Sequence, residues 1–154
     1  MMWNAVMPTP FGWLGIASEG DFITRVSFLG AAGAVHEADT PVAREAVSQI
    51  ASYLKDARHV FDLPCQLQGS AFERKVWSRI AAIPCGATLS YAALAADIAS
   101  AARPVGGACG RNPVPLIIPC HRVVAARGLG GFNGAADDRP TSLPIKRWLL
   151  AHEQ

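Results

Sequence analysis

Hydrophobic and polar positions change their spacing along this chain, and each change predicts a different element. Phe11 to Ala17 and Phe22 to Leu29 are short runs of aromatic and branched residues parted by Ser18-Glu19-Gly20-Asp21, the pattern of two strands joined as a hairpin. From Thr40 the spacing turns helical. Thr40 can cap, Pro41 suits the first helical position, and Val42, Ala46, Ile50, Tyr53 and Leu54 recur on one face. A short apolar segment, Val60 to Leu63, is followed by Pro64 and Gly69, which punctuate the chain and mark a domain boundary. The expected organisation is a small sheet backed by one helix over residues 1–68 and a second domain over 69–154.

That second part opens on a capping box, Ser70 with Glu73, ahead of a helical stripe of Phe72, Val76, Ile80 and Ile83 that Pro84-Cys85-Gly86 ends. Ser90 can cap a second helix, with Tyr91, Leu94, Ala95 and Ile98 on one face. After a tight turn a third helix begins near Ala101 and carries Arg103. Two short helices about such a turn make a helix-turn-helix pattern. Gly106 and Gly107 stand inside the third helix, where each costs about 1 kcal/mol relative to alanine. A missing side chain admits either a packed protein segment or a phosphate chain, and both readings stay open.

Beyond it, Pro113, Pro115 and Pro119 interrupt an apolar run from Asn112 to Val124, which predicts a stiff, extended, buried segment and not a ladder strand. Gly128, Gly130, Gly131 and Gly134 then make a flexible loop. A polar stretch from Asp137 to Ser142 leads to a last helix with Ile145, Trp148, Leu149 and His152 on one face.

Composition narrows the class. With 154 residues, 51% of them hydrophobic and 17% charged, the chain can bury a real core. No apolar stretch approaches the roughly 18 residues of a membrane span. The first basic residue is Arg25, so no secretory leader is expected either, and the cytoplasm is the expected compartment. The net charge of +2 hides an asymmetry: residues 1–68 carry four Lys/Arg against seven Asp/Glu, residues 69–154 ten against five. The later part suits a polyanion. Cys65, Cys85, Cys109 and Cys120 include no C-x-x-C pair and no histidine at zinc-finger spacing, so neither a metal site nor a disulfide framework is indicated. Cys65 and Cys85 read as small buried hydrophobes.

Cys120 is different, because proline fixes it and His121 follows it. A thiol attacks as thiolate, and a free pKa of about 8.5 leaves little ionised near neutrality, so a base is required. In an extended chain Cys120 and His121 point to opposite faces, and contact would need a bridging water or a turn. Glu153 is a candidate acceptor to orient His121.

Pro119-Cys120-His121-Arg122-Val123 resembles the active-site signature of the O6-alkylguanine-DNA alkyltransferases, also called methylated-DNA-protein-cysteine methyltransferases. Phe72-x-x-x-Val76-Trp77, Ile83-Pro84-x-Gly86, Ser90-Tyr91-x-x-Leu94-Ala95, Arg103-x-Val105-Gly106-Gly107-Ala108, Asn112-Pro113 and Trp148-Leu149-Leu150-x-His152-Glu153 stand in that family's order and cover residues 69–154. Residues 1–68 match only in layout, a small α/β domain arranged as in ribonuclease H.

The resemblance implies an α+β protein: a small N-terminal sheet-plus-helix domain and a mostly helical winged helix-turn-helix domain. It implies direct-reversal repair, the alkyl group passing irreversibly and once per molecule from O6-alkylguanine in double-stranded DNA to Cys120 after the nucleotide flips out. His121 would act through water as base, Glu153 would orient it, and Asn112 would hold the turn that bears the cysteine. Tyr91 would sit beside the phosphate and the guanine, Arg103 would fill the stack, and Ala92, Gly106 and Gly107 would meet the DNA backbone in the minor groove. Cys109, Val123, Phe132 and Asn133 would line the alkyl and guanine pocket. No cofactor or metal is implied, since the DNA is the alkyl donor, and a monomer is expected. Phe132 departs from a frequent tyrosine, and Ala135 to Leu143 looks like an insertion beside the pocket. Competing readings are an alkyl-lesion binder without transfer, which the presence of Cys120 opposes, a winged-helix regulator, and a thiol hydrolase, for which no acyl groove is identified.

Overall fold

Three strands open the chain where the pattern predicted two. In the computed structural model, which describes residues 2–154, β1 (Ala5–Thr9), β2 (Gly12–Glu19) and β3 (Phe22–Gly30) form an antiparallel sheet in that order. The predicted hairpin is β2–β3, turning through Gly20 at φ 56°. β1 gives no alternating signal because Ala5, Val6 and Met7 are all buried, and its Pro8 argues against a central strand. As an edge strand it tolerates the proline, while Val6 exchanges backbone hydrogen bonds with His36 at 2.9 and 3.1 Å.

α1 (Pro41–Lys55) starts where Thr40 Oγ1 accepts from the Ala43 amide, and it buries Val42, Ala43, Ala46, Ile50 and Tyr53 against the sheet. Val60 to Leu63 forms no strand; Val60 is 82% exposed. The chain is held there by Gln49 in α1, whose side chain donates to the Asp62 carbonyl and accepts from the Asp62 amide, both at 2.8 Å. Cys65 then lies alongside Ile23, and burial pushes its thiol up to about 11.

The contacts divide the chain into two units, Met1–Gln68 and Gly69–Gln154. In the second, α2 (Ala71–Ala81) begins with the capping box: Ser70 and Glu73 exchange backbone-to-side-chain bonds at 2.9 and 3.0 Å. A two-residue strand, β4 (Leu89–Ser90), runs directly into α3 (Tyr91–Asp97). A turn through Ala99, at φ 53°, leads to α4 (Ala102–Gly110). Trp77 of α2 is 2% exposed and donates from Nε1 to the Ala108 carbonyl at 2.9 Å, which ties α2 to α4. Val76, Ile80, Leu94, Val105, Ala108 and Leu149 are fully buried around it.

The proline-rich run is not extended throughout. It turns back at Leu116, φ 75°, with the Ile118 amide on the Val114 carbonyl at 2.9 Å, and winds into a 3-10 turn at Cys120–Arg122. A left-handed leucine costs roughly 1–2 kcal/mol, and burial of Val114, Leu116 and Ile118 outweighs it. β5 (Val123–Val124) follows and pairs in parallel with β4; α5 (Leu143–His152) closes the unit.

Candidate functional site

Two local devices bring the reactive residues together. The β4–β5 ladder sets Ser90 opposite Val124, so Tyr91, the first residue of α3, emerges beside the turn that carries Cys120. Asn112 fixes that turn from the other side. Its Nδ2 donates to the Ile118 carbonyl at 2.9 Å and to Cys120 Sγ at 3.3 Å, while its Oδ1 accepts from the Val114 amide at 3.0 Å.

Cys120 is 7% exposed and sits at the wall of a cavity of about 710 Å³. Burial pushes its thiol above the ordinary cysteine value, opposed by the Asn112 hydrogen bond and by the charge of Lys146. At rest the sulfur therefore holds its proton.

His121 lies with Cys120 in a 3-10 turn, not in the extended chain the sequence suggested, and its ring turns to Glu153. Its Nε2 lies 2.7 Å from Glu153 Oε2, and no hydrogen bond joins the imidazole to Cys120. With Nε2–H given to the carboxylate, Nδ1 carries the lone pair, and that atom is buried without a protein partner. Burial lowers the imidazole pKa below 6.5, against the pull of Glu153, so the ring is neutral at pH 7 and free to take a proton.

Arg122 was quoted in the motif but given no role by sequence, and it completes this cluster. Its Nε and Nη2 donate to the two oxygens of Glu153 at 2.9 and 3.0 Å, and its Nη1 donates to the Ile83 carbonyl at 2.7 Å. Planar two-point binding of a buried carboxylate is what a guanidinium does and an ammonium cannot. Glu153 thus accepts two hydrogen bonds from Arg122 and meets the histidine with the same carboxylate.

Lys146 was missed altogether. It is fully buried, donates to the Val123 carbonyl at 2.7 Å and the Gly131 carbonyl at 2.8 Å, and burial pushes its pKa down to about 8. The available signal was helical: Lys146, Leu149 and Glu153 recur at three and four residues along α5 and share one buried face.

Tyr91 packs over Gly130, where a Cβ would come within 2.7 Å of the ring; only glycine fits, and at φ 74° only glycine sits easily. Burial pushes the phenol up to about 12, so it remains a proton donor, reaching the Gly131 carbonyl at 3.4 Å.

Of the predicted pocket residues, Cys109, Phe132 and Asn133 line the cavity. Burial pushes the Cys109 thiol up to about 12. Val123 does not line it: the residue is fully buried, pairs with Leu89 and offers its carbonyl to Lys146. Arg103, Gly106 and Gly107 border the cavity along α4, and Ala92 is exposed on α3. A Cβ on Gly106 would meet the Tyr91 ring at 4.0 Å, and one on Gly107 would have the Arg111 guanidinium nearest, at 3.2 Å. The atoms nearest to either position belong to side chains, Tyr91 at Gly106 and Arg111 at Gly107. Arg111, which also borders the cavity, is tied back by a close ion pair with Glu73.

Residues 71–154 match the family model described as 6-O-methylguanine DNA methyltransferase, DNA binding domain. The chain is 35% identical to the constitutive methylated-DNA–protein-cysteine methyltransferase of Bacillus subtilis, over 100% of this chain and 96% of that one. It is 42% identical to a methylated-DNA–protein-cysteine methyltransferase of Mycolicibacterium paratuberculosis over 105 residues, 66% of this chain and 64% of the relative. Among solved structures it is similar to Mycobacterium tuberculosis OGT in complex with DNA, with a TM-score of 0.79, 33% identity, and coverage of 96% of this chain and 90% of that one.

Proposed function

This chain belongs to the 6-O-methylguanine DNA methyltransferase family, and we propose that it repairs double-stranded DNA by taking the alkyl group of O6-alkylguanine onto Cys120. The observation that carries this is a nucleophile and its base each fixed by its own partner: Cys120, at the wall of a cavity, by Asn112, and the buried His121 by Glu153.

A guanine inside a duplex cannot reach a buried sulfur, so the nucleotide leaves the stack at a cost of a few kcal/mol. Arg103 takes its place, and the exposed Ala92 with the missing side chains of Gly106 and Gly107 lets the DNA backbone come close. The positive balance of residues 69–154 supplies attraction that does not depend on sequence, which suits a search for damage.

Once the base occupies the cavity, the thiol proton passes through a bridging water to His121 Nδ1. Glu153 steadies the imidazolium, and Arg122 keeps Glu153 in place. Lys146 and Asn112 stabilise the thiolate. Sulfur then bonds to the alkyl carbon as the carbon–O6 bond breaks, and the Tyr91 phenol offsets the negative charge that develops on the departing guanine.

The product is a thioether with no activated leaving group, so each molecule acts once. The DNA supplies the alkyl group, and no cofactor enters. Four free cysteines suit a reducing compartment, and we place the protein in the cytoplasm, acting as a monomer.

The test is mass spectrometry of the protein after incubation with a duplex containing O6-methylguanine. One methyl per molecule is expected, on the peptide that contains Cys120, and none in Cys120→Ser. Continued turnover, or a label elsewhere, overturns the assignment.

A further inference from the structure

Arg111 stands at the edge of the site and has no part in the transfer step described above. It caps the C-terminal end of α4, where its amide donates to the Ala108 carbonyl at 3.2 Å, and it borders the same cavity as Arg103, Gly106 and Gly107. An exposed arginine ordinarily moves among many rotamers, and binding a ligand then costs it that freedom. Here the guanidinium is already fixed.

Its Nε donates to Glu73 Oε2 in a close ion pair. Glu73 is held in turn, since its other oxygen accepts from the Ser70 amide at 2.9 Å as one half of the capping box that starts α2. The carboxylate is the covered member of the pair, its side chain 16% exposed against 62% for the arginine. With Nε spent on Glu73, the two terminal nitrogens are the atoms that lie nearest Gly107: Nη1 and Nη2 stand 3.2 and 3.5 Å from the position a Cβ would take there. Among the described residues, no hydrogen bond engages either Nη. The guanidinium therefore holds two unused donors beside α4, in an orientation set through its third nitrogen.

We propose that Glu73 is a positioning residue for DNA binding: it holds the Arg111 guanidinium so that Nη1 and Nη2 receive a backbone phosphate of the duplex lying along α4. This rests on the repair reading above, and it gives a carboxylate of α2, outside the helix-turn-helix, a part in holding a polyanion. A phosphodiester oxygen is the acceptor that suits the site, because it takes charge-assisted bonds from a guanidinium and needs no further group from the protein. The charge of Glu73 itself opposes the phosphate. The orientation it imposes outweighs that opposition, because Arg111 loses little rotamer freedom when the DNA arrives.

The experiment measures the affinity of the full chain for one undamaged duplex over a series of salt concentrations, with Arg111→Gln, Glu73→Gln and the double variant beside it. Glu73→Gln keeps an oxygen for the Ser70 amide, so the capping box persists. Arg111→Gln is expected to weaken binding about tenfold and to lower the slope of log affinity against log salt by about 0.9, the share of one phosphate contact. Charge alone would make Glu73→Gln bind DNA more tightly, since it removes a negative group. The expected result is the opposite, a weakening of at least about threefold, and none when Arg111→Gln is already present. Tighter or unchanged binding in Glu73→Gln, the same weakening with and without Arg111, or an unchanged salt slope in Arg111→Gln overturns the inference. Methyl transfer by the unmutated chain is read alongside, from the protein mass after incubation with an O6-methylguanine duplex. If that transfer occurs, each of those results removes the inference alone; if the unmutated chain neither binds the duplex nor takes the methyl group, the proposed function falls and the inference with it.

Discussion

His121 Nε2 and Glu153 Oε2 stand 2.7 Å apart with both side chains 1% exposed, joining residues 32 positions apart in the chain. This contact leaves Nδ1 as the only ring atom able to accept a proton. It also places a carboxylate in the interior, where Arg122 has to balance it.

Glu153→Ala removes that balance. The Arg122 guanidinium loses its paired acceptor in a mostly buried position, and His121 loses its orienting partner. Breaking such a pair from one side costs roughly 3–5 kcal/mol, and we expect a loss of that order in urea unfolding at pH 7. Single-turnover methyl transfer should fall by at least about a hundredfold, the scale of a disabled general base. A variant that unfolds at the wild-type urea concentration would refute the structural half.

His121 also makes stability depend on pH. Burial lowers its native pKa below the unfolded value of 6.5, so the unfolded chain binds more protons than the native one between those two values. The contribution of the neutral imidazole is complete above pH 6.5 and is lost as pH falls through the native pKa. Chemical denaturation at pH 7 and at about pH 5 should show that decline, and His121→Gln should flatten it.

Lys146 predicts an electrostatic effect on the thiol. Lys146→Met is expected to slow iodoacetamide alkylation of Cys120 at pH 7 by about tenfold, equivalent to about one unit of thiol pKa. In the unmutated protein, Lys146 loses its charge near pH 8, so the rise of alkylation rate with pH should become shallower there. The variant should show no such inflection. Equal rates in the two proteins would assign Lys146 to holding the Val123 and Gly131 carbonyls alone.

Much of this was legible along the chain because it is local. Thr40-Pro41 and Ser70-x-x-Glu73 name helix starts through bonds that close within a few residues, and both form as expected. The order of motifs from Phe72 to Glu153 carries the family, and Cys120, His121, Asn112 and Glu153 all stand within those motifs.

What sequence could not settle were contacts whose partners lie far apart in the chain and whose value depends on burial. β1 hid behind three consecutive buried residues and a proline, because only its place at the sheet edge makes that pattern compatible with a strand. The run to Pro119 read as extended, yet it turns at Leu116, since packing of its neighbours outweighs the local backbone cost. Arg122 and Lys146 are ordinary surface-type residues by composition. Folding buries the lysine completely and the arginine mostly, and desolvation then obliges each to find acceptors: the Glu153 carboxylate in one case, two backbone carbonyls in the other. The sequence by itself determined which groups could react; the tertiary structure decided which of them hold their protons and how much room a substrate has, because both depend on the distance from water.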